Sequence, residues 1–460
     1  MSHRGLIIID DLSNGELEAL FPLADEMSRS LSGQLEVCRG KVMASLFFEP
    51  STRTRLSFEA AMHRLGGSVI SVADAKVTSL AKGESIADMA RVVGSYADII
   101  VIRHPWEGTA KVVADYAGVP VINAGDGGHE HPTQTLCDLY TIRKEGHSFR
   151  GLKIALWGDL KHGRTVHSLA YALARLGATI LFRPGAGLEI PDYVIRKLTM
   201  EYGGELRRAT ADGFLPLDAI YVTPSQPHQL AMMPEVDVQV ELKKGVDCLY
   251  ITRLQQERLS SPGKAQGEYP VVDKKLLQGK EFRKTLVMHP LPRLRELAHE
   301  VDADPRSLYF KQAAWGVPVR MALIAFLLGA REIVPAYGGS FVPKNYPTYR
   351  REFGIRCANP ICVSAQETEA RYITPEFKIV NEHPLTLRCV YCEHEVQPQF
   401  IASSEWHEGL IETKKYHSAD SHWVTKIKPE NLIIFGSRSD AEAHGFKPSS
   451  YVGAQGGEGT

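Results

Sequence analysis

From the first residues to about position 330, short β-branched runs alternate with amphipathic helical stretches. This predicts an α/β fold with parallel sheets. The alternation stops after Leu152 and restarts, which predicts two such units in succession. A third observation is a cluster of four cysteines between positions 357 and 392, which predicts a small metal-bound module after them.

Composition sets the limits. The chain has 460 residues, 44% hydrophobic and 23% charged, an ordinary soluble composition with room for two to four domains. Lys and Arg total 53, Asp and Glu 54, for a net charge of −1. That balance argues against a dedicated nucleic-acid or membrane-surface protein. The longest apolar runs, Leu6–Ile9 and Met321–Leu328, fall far short of the roughly 20 residues of a membrane span. The N-terminus has no basic segment, apolar core and cleavage site in sequence, so the cytoplasm is the expected location.

The elements follow in order. Ser13 and Glu16 form a capping box ahead of a helix over 14–30. Val42 to Phe48 reads as a buried strand, and 52–65 as a helix stopped by Gly66-Gly67. Strands follow over 68–72, 98–102 and 119–123. After Leu152 come a strand over 153–157 and a helix over 164–176, with Val166, Leu169, Ala170, Leu173 and Leu176 on one face. Later strands are expected at 249–251 and 285–288, and a closing helix over 317–328. Asp218–Thr223 and Asp247–Thr252 resemble each other, from an insertion or from chance recurrence of strand composition. Pro335, Gly338, Gly339, Pro343 and Pro347 read as a linker. Residues 453–460 are expected to be disordered.

The chemistry-bearing residues sit where strands end. Ser51-Thr52-Arg53-Thr54-Arg55 opens a helix directly after a strand. Free backbone N–H groups, the positive helix end, hydroxyls and guanidinium groups there suit a phosphate. A capped surface helix with scattered basic residues has the same local sequence. Arg103 follows one strand, and His131-Pro132-Thr133-Gln134 follows the next after a Gly-rich loop. In open α/β sheets ligands bind outside these carboxyl ends.

Taken together with His289-Pro290-Leu291-Pro292-Arg293, these segments resemble the aspartate/ornithine carbamoyltransferases over residues 1 to about 332. Pro290 stands where ornithine enzymes are expected to carry a cysteine. Asp159–Ser168 and Tyr250-Ile251-Thr252-Arg253-Leu254-Gln255 resemble the aspartate branch. Arg164 and Arg253 can each pair bidentately with a carboxylate and would repel an ornithine side chain. The resemblance implies that carbamoyl phosphate and L-aspartate are converted to N-carbamoyl-L-aspartate and phosphate, in pyrimidine biosynthesis. It implies that Ser51, Thr52, Arg53, Thr54 and Arg103 hold the phosphate. Thr54, Arg103 and His131 polarise the carbonyl, and Gln134 with backbone groups of Leu291 and Pro292 binds the carbamoyl amide. Arg164, Arg253 and Gln255 bind aspartate. Ser79 and Lys82 resemble the loop that enters a neighbouring subunit's site, so a trimer-based homo-oligomer with shared sites is implied. Arg295 departs from the family, which usually has an acidic residue there. Alternatives are a carbamoyltransferase for another acceptor and a non-catalytic zinc-containing scaffold.

Cys357-x4-Cys362 and Cys389-x2-Cys392 lie 26 residues apart, a spacing suited to one closed, structural tetrahedral site. They resemble the zinc domain of the aspartate carbamoyltransferase regulatory chain, which implies one structural Zn2+ per chain. The family's nucleotide-binding domain is missing between Ile333 and Arg356. The tail, through Lys415–Ser421, Ile427–Asn431 and Ala441–Pro448, resembles the small metal-binding domain of the Ada DNA-repair protein. Ser421, Thr425, Ser449 and Val452 stand where its cysteines would fall, so an empty, degenerate site is expected unless His417, His422 and His444 rebuild one. The full expectation is two parallel-sheet α/β domains, then a small zinc ribbon and a small α+β tail. Its segments are a carbamoyl phosphate-binding domain over 1–138, an aspartate-binding domain over 139–290 and closing helices over 291–332. A linker over 333–354, a zinc-binding domain over 355–400 and the tail over 401–460 follow. These residues name no dihydroorotase partner.

Overall fold

The computed structural model of the chain describes residues 5–30, 33, 35–73, 79–184, 188–203, 206–208, 219–222, 248–252, 271–335, 344–351, 354–367, 372–404 and 414–449. Among the described residues, four sheets follow one another along the chain.

The first is all parallel, in the order β2-β1-β3-β4: β1 (Val42–Phe47), β2 (Ser68–Val72), β3 (Ile99–His104) and β4 (Val121–Asp126). Helices α1 (Asn14–Arg29), α2 (Thr52–Arg64), α3 (Ile86–Gly94), α4 (Thr109–Tyr116) and α5 (Pro132–Lys144) accompany it. The apolar runs of β1, β3 and β4 are buried on both faces, as parallel strands between helices require. The Ser13 capping box forms: Glu16 N–H donates to Ser13 Oγ, and Ser13 N–H to Glu16 Oε2.

Two strand ends differ from expectation, and both matter for the site. β3 runs on to His104, so Arg103 lies within the strand. Phe47 pairs with Arg103 and His104 with Asp126, so backbone pairing overrides the polarity of the side chains. β4 starts after Pro120, which has no N–H to give, and runs to Asp126.

The second sheet is also parallel, in the order β10-β9-β8-β5-β6-β7. It comprises β5 (Lys153–Gly158), β6 (Thr179–Pro184), β7 (Leu206–Arg208), β8 (Ala219–Val222), β9 (Cys248–Ile251) and β10 (Leu286–Met288), with α6 (Arg164–Arg175) and α7 (Asp192–Met200). The two look-alike segments are β8 and β9, side by side, with Tyr221 opposite Tyr250.

The closing helix, α8, spans Tyr309–Leu327 and not only 317–328. Pro318 in its interior removes one helical hydrogen bond without ending it. α8 packs on α1, α2 and α5, so the chain returns to the first unit. Met321, Leu323 and Ile324 are fully buried there, each stabilising by about 1.5–3 kcal/mol relative to exposure.

The third sheet, antiparallel, is β11 (Thr348–Arg350), β12 (Glu376–Glu382), β13 (Leu385–Cys389) and β14 (Glu395–Val396). β11 falls inside the stretch expected to be linker. Tyr349 there is buried and its hydroxyl accepts from Ile434 N–H, so the segment is ordered by what it packs on. The tail adds β15 (Phe400–Ser403), β16 (Lys415–Ser418), β17 (Leu432–Phe435) and β18 (Lys447–Pro448), in the order β17-β15-β16-β18. Residues 453–460 and Val452 lie outside the described residues.

Candidate active site and metal centre

The strand orders locate the site. In the first sheet β1 and β3 are adjacent, with β2 on one side and β4 on the other, so winding reverses between them. Ligands of open α/β sheets bind at such a reversal, beyond the carboxyl ends. β1 leads into Glu49 and the Ser51–Arg55 segment, and β3 ends at Arg103-His104.

Ser51 is the N-cap of α2, and its hydroxyl caps no backbone N–H there. Arg53, in the first turn of this helix, is exposed. The charge of Arg53 also bears on His289, helping to keep that buried imidazole neutral after the larger effect of burial.

Arg103 and Arg164 converge on one carboxylate. Arg103 Nη2 lies 2.9 Å from Glu49 Oε1, and Arg164 Nη1 and Nη2 each lie 3.1 Å from Glu49 oxygens. Burial raises the Glu49 pKa, but the two guanidinium groups outweigh it and hold the carboxyl below its ordinary range. Arg164 stands at the start of α6 and also donates to Gly127 O at 2.8 Å, which ties the two α/β units together across the cleft. Gly125 makes this approach possible. Its φ is +113°, and a Cβ there would lie 3.2 Å from both Arg164 Cζ and His131 Cδ2.

His131 caps α5, and its backbone N–H donates to Ser168 Oγ at 2.9 Å. Its Nε2 is 3.5 Å from Arg103 Nη1. Burial first, then Arg103, Arg164 and Arg320, push its pKa well below the ordinary value. The ring is thus neutral near pH 7, with one nitrogen that donates and one that accepts. Gln134, one turn further on, donates through Nε2 to Asp138 at 2.8 Å.

The His289–Arg293 segment is held by its own side chains. His289 Nδ1 accepts from Leu291 N–H at 2.8 Å, and His289 Nε2 lies 2.9 Å from Glu296 Oε1. Beside Arg295, local pairing is made by other residues: Glu296 with His289, and Arg293 Nη2 with Asp302 Oδ2 at 2.6 Å. Ser79–Lys82 forms a 3-10 turn before α3, with Lys82 exposed. Arg253 and Gln255 lie outside the described residues.

Thus Arg103, His131 and Arg164 are brought together around Gly125. Sequence reasoning assigned no role to Glu49, Asp138, Ser168 or Gln312. Glu49 carried a visible signal, since it stands between the strand and the Pro50-Ser51 turn. The others are ordinary polar residues on helices, without a signal.

The four cysteines come together at the edge of the third sheet. Cys357 Sγ and Cys392 Sγ are 3.6 Å apart, and Cys362 Sγ and Cys389 Sγ 3.9 Å. Four thiolates around zinc at about 2.3 Å would lie about 3.8 Å from one another, so the set fits a closed tetrahedral ion. His129, Glu130 and Glu393 also place ligand atoms within 4.8 Å of one another. However, Lys197 Nζ is already 2.8 and 2.9 Å from the two Glu393 oxygens, so we read this group as an ion-pair network.

The cysteine module docks on both α/β units. Glu107 N–H donates to Ile361 O and Val363 N–H to Glu107 O, both at 2.9 Å, while Asn359 Nδ2 donates to Glu107 Oε2 at 2.5 Å. Gly108, with φ +82°, lets the chain pass Tyr391, whose Cβ a side chain at 108 would meet at 2.6 Å. On the second unit, Arg196 pairs with Glu395 at 2.6 Å and Arg388 with Glu201 at 2.5 Å.

This arrangement defines an anion-binding transferase site between two α/β domains, and comparison with known proteins gives it a family. Residues 4–144 match the aspartate/ornithine carbamoyltransferase carbamoyl-P binding domain, and 195–327 the Asp/Orn binding domain of the same family. A catalytic subunit of aspartate carbamoyltransferase from Thermoplasma acidophilum is 44% identical over 334 residues, 72% of this chain and 99% of the relative. The Thermococcus gammatolerans subunit is 46% identical over 332 residues, 71% and 98%. Among solved structures, Trypanosoma cruzi aspartate transcarbamoylase in complex with carbamoyl phosphate superposes with a TM-score of 0.58 at 36% identity, covering 70% of this chain and 96% of that one. The catalytic subunit from M. jannaschii gives 0.57 at 41%, covering 71% and 98%. The chain belongs to the aspartate/ornithine carbamoyltransferase family. Residues 351–402 match the metal binding domain of the aspartate carbamoyltransferase regulatory chain.

Proposed function

We propose that this chain is an aspartate carbamoyltransferase, moving the carbamoyl group of carbamoyl phosphate to the amine of L-aspartate for pyrimidine synthesis in the cytoplasm. The observation that carries the reading is the convergence of Arg103 and Arg164 on the Glu49 carboxylate. Two buried guanidinium groups that already share one carboxylate are placed to receive anionic substrates. The relatives, aspartate enzymes at 42–46% identity, support aspartate as acceptor.

Carbamoyl phosphate brings its own leaving group, so no protein nucleophile is required. Ser51, Thr52, Arg53 and Thr54 bind the phosphate at the start of α2, with Arg103. As the aspartate amine attacks, charge grows on the carbonyl oxygen. The neutral His131 ring, Thr54 and Arg103 donate to it, a preorganised stabilisation in a water-poor site. Gln134 and the Leu291–Pro292 carbonyls accept from the carbamoyl NH2. Arg164, Arg253 and Gln255 hold the aspartate carboxylates. Ser79 and Lys82 act in a neighbouring subunit's site, which makes a trimer the active unit. Cys357, Cys362, Cys389 and Cys392 hold a structural zinc, which supplies cross-linking to a small module and no chemistry at the site.

The test is an assay of the purified chain with carbamoyl phosphate and either aspartate or ornithine. Carbamoylation of aspartate is expected. A preference for ornithine overturns the reading.

A further inference from the structure

Asp138 lies on α5 four residues after Gln134 and is fully buried. Three elements aim donors at it. Gln134 Nε2 of α5 lies 2.8 Å from Oδ1, Gln312 Nε2 of α8 lies 2.9 Å from Oδ1, and the Tyr250 hydroxyl of β9 lies 3.0 and 3.1 Å from the two oxygens. Gln312 in turn accepts through Oε1 from His289 N–H at 3.1 Å. One carboxylate thus links the helix of Gln134 with the loop that carries Leu291 and Pro292.

A glutamine amide has one donor end and one acceptor end. A carboxylate accepts only, so Asp138 commits the Gln134 Nε2 to itself and leaves Oε1 for the site. The carbamoyl group has an NH2 next to its carbonyl and needs an acceptor there. A flipped Gln134 would set NH2 against NH2.

We propose that Asp138 is a positioning residue that fixes the Gln134 amide with Oε1 towards substrate. By this it makes the site select a carbamoyl phosphate over acyl phosphates that carry methyl in place of NH2. This rests on the carbamoyl-transfer reading above. A site built around a hydrogen bond rejects the analogue that lacks it, because its buried polar atom is left unpaired.

The setting also makes the device sensitive to pH. Burial pushes the Asp138 carboxyl up to about 7, against the opposing pull of Gln134, Gln312, Tyr250 and the Arg320 guanidinium of α8. The Cys137 thiol, its neighbour on α5, is itself raised by burial and stays neutral. A protonated Asp138 cannot accept from all three donors, and its own O–H can turn the Gln134 amide round. Carbamoyl phosphate binding should therefore weaken as pH falls through the Asp138 pKa.

The experiment uses the whole chain with aspartate, carbamoyl phosphate and acetyl phosphate. Asp138→Asn can donate as well as accept, so Gln134 loses its fixed orientation. We expect the KM for carbamoyl phosphate to rise about tenfold or more and the preference over acetyl phosphate to fall by a similar factor. Inhibition by inorganic phosphate, held at α2, should stay unchanged. Between about pH 8 and about pH 6 the wild-type KM should rise towards that of Asp138→Asn, which has no group to titrate. Tyr250→Phe keeps the carboxylate but removes one donor, so the same rise should begin at higher pH. It serves where Asp138→Asn does not fold. A folded Asp138→Asn with unchanged KM and preference, or no shift of the rise in Tyr250→Phe, overturns the proposal alone. A wild type that transfers no carbamoyl group overturns the functional reading and this proposal with it.

Discussion

Lys197 and Glu393 form a buried ion pair that joins the second α/β unit to the cysteine module. The ammonium lies 2.8 and 2.9 Å from the two carboxylate oxygens and 2.9 Å from Asp10. Burial alone would lower the Lys197 pKa, but Asp10 and Glu393 outweigh it and keep the side chain charged. Glu393 follows Cys392 directly, with φ +58°, so the turn that closes the cysteine cluster also aims this carboxylate inward.

Removing Lys197 takes the nearest counter-charge from the buried Glu393, whose next cationic neighbour, His129, lies 3.6 Å away. Lys197→Met should cost about 3–5 kcal/mol of stability, the range for breaking a buried pair. Denaturant unfolding followed by fluorescence checks this. A loss below about 1 kcal/mol, the worth of a surface pair, would mean that water reaches the network.

Arg53 and Arg164 should fail differently. Arg53→Ala removes a cation facing charge that grows in the transition state, so kcat should fall by about 10²–10³. Arg164→Ala and Arg253→Ala should chiefly raise the KM for aspartate. Steady-state kinetics in both substrates separate the two patterns, and an unchanged kcat in Arg53→Ala contradicts the assigned role.

If Lys82 acts across a subunit boundary, two inactive chains should complement. Lys82→Ala and Arg53→Ala chains, mixed and reassembled, should regain activity because some sites in mixed trimers are intact. No recovery despite demonstrated exchange of subunits would place Lys82 within its own chain's site or outside catalysis.

Metal analysis should give one zinc per chain, lost when Cys389 and Cys392 are both replaced. Among the described residues, no group of three or more histidine, cysteine or acidic side chains placed to hold an ion lies in the tail. Two zincs per chain, or one that survives the double replacement, would show that the tail holds a site of its own.

Only 22 residues separate Ile333 from Arg356, and Thr348–Arg350 among them are already a strand of the cysteine module. CTP and ATP should then act on activity only by competing at the anion site. CTP titrations at several carbamoyl phosphate concentrations test this. A saturable effect that is not competitive would contradict it.

The residues that meet substrate in the proposed reaction were legible in one dimension because they are local. Ser51–Thr54 need only a strand end and a helix start, and both are written in the period of the apolar residues. The α/β class and the cysteine pairs were legible for the same reason, as alternation and spacing. What only the tertiary structure decided are relations between distant positions. Glu49 meets Arg164, 115 residues away, and Lys197 meets Glu393, 196 residues away. Asp138 gathers donors from Tyr250 and Gln312 at separations of 112 and 174 residues. The end of β3 and the start of α8 depended on the same kind of partner. Arg103 and His104 stay in the strand because neighbouring strands pair with them, and α8 begins early because Tyr309 and Gln312 are buried against other elements. A carboxylate or an amide on a helix face reads as solvated surface until the fold supplies what lies opposite. The energy that gives it a role, a desolvated charge met by its counter-charge, exists only once both have left water.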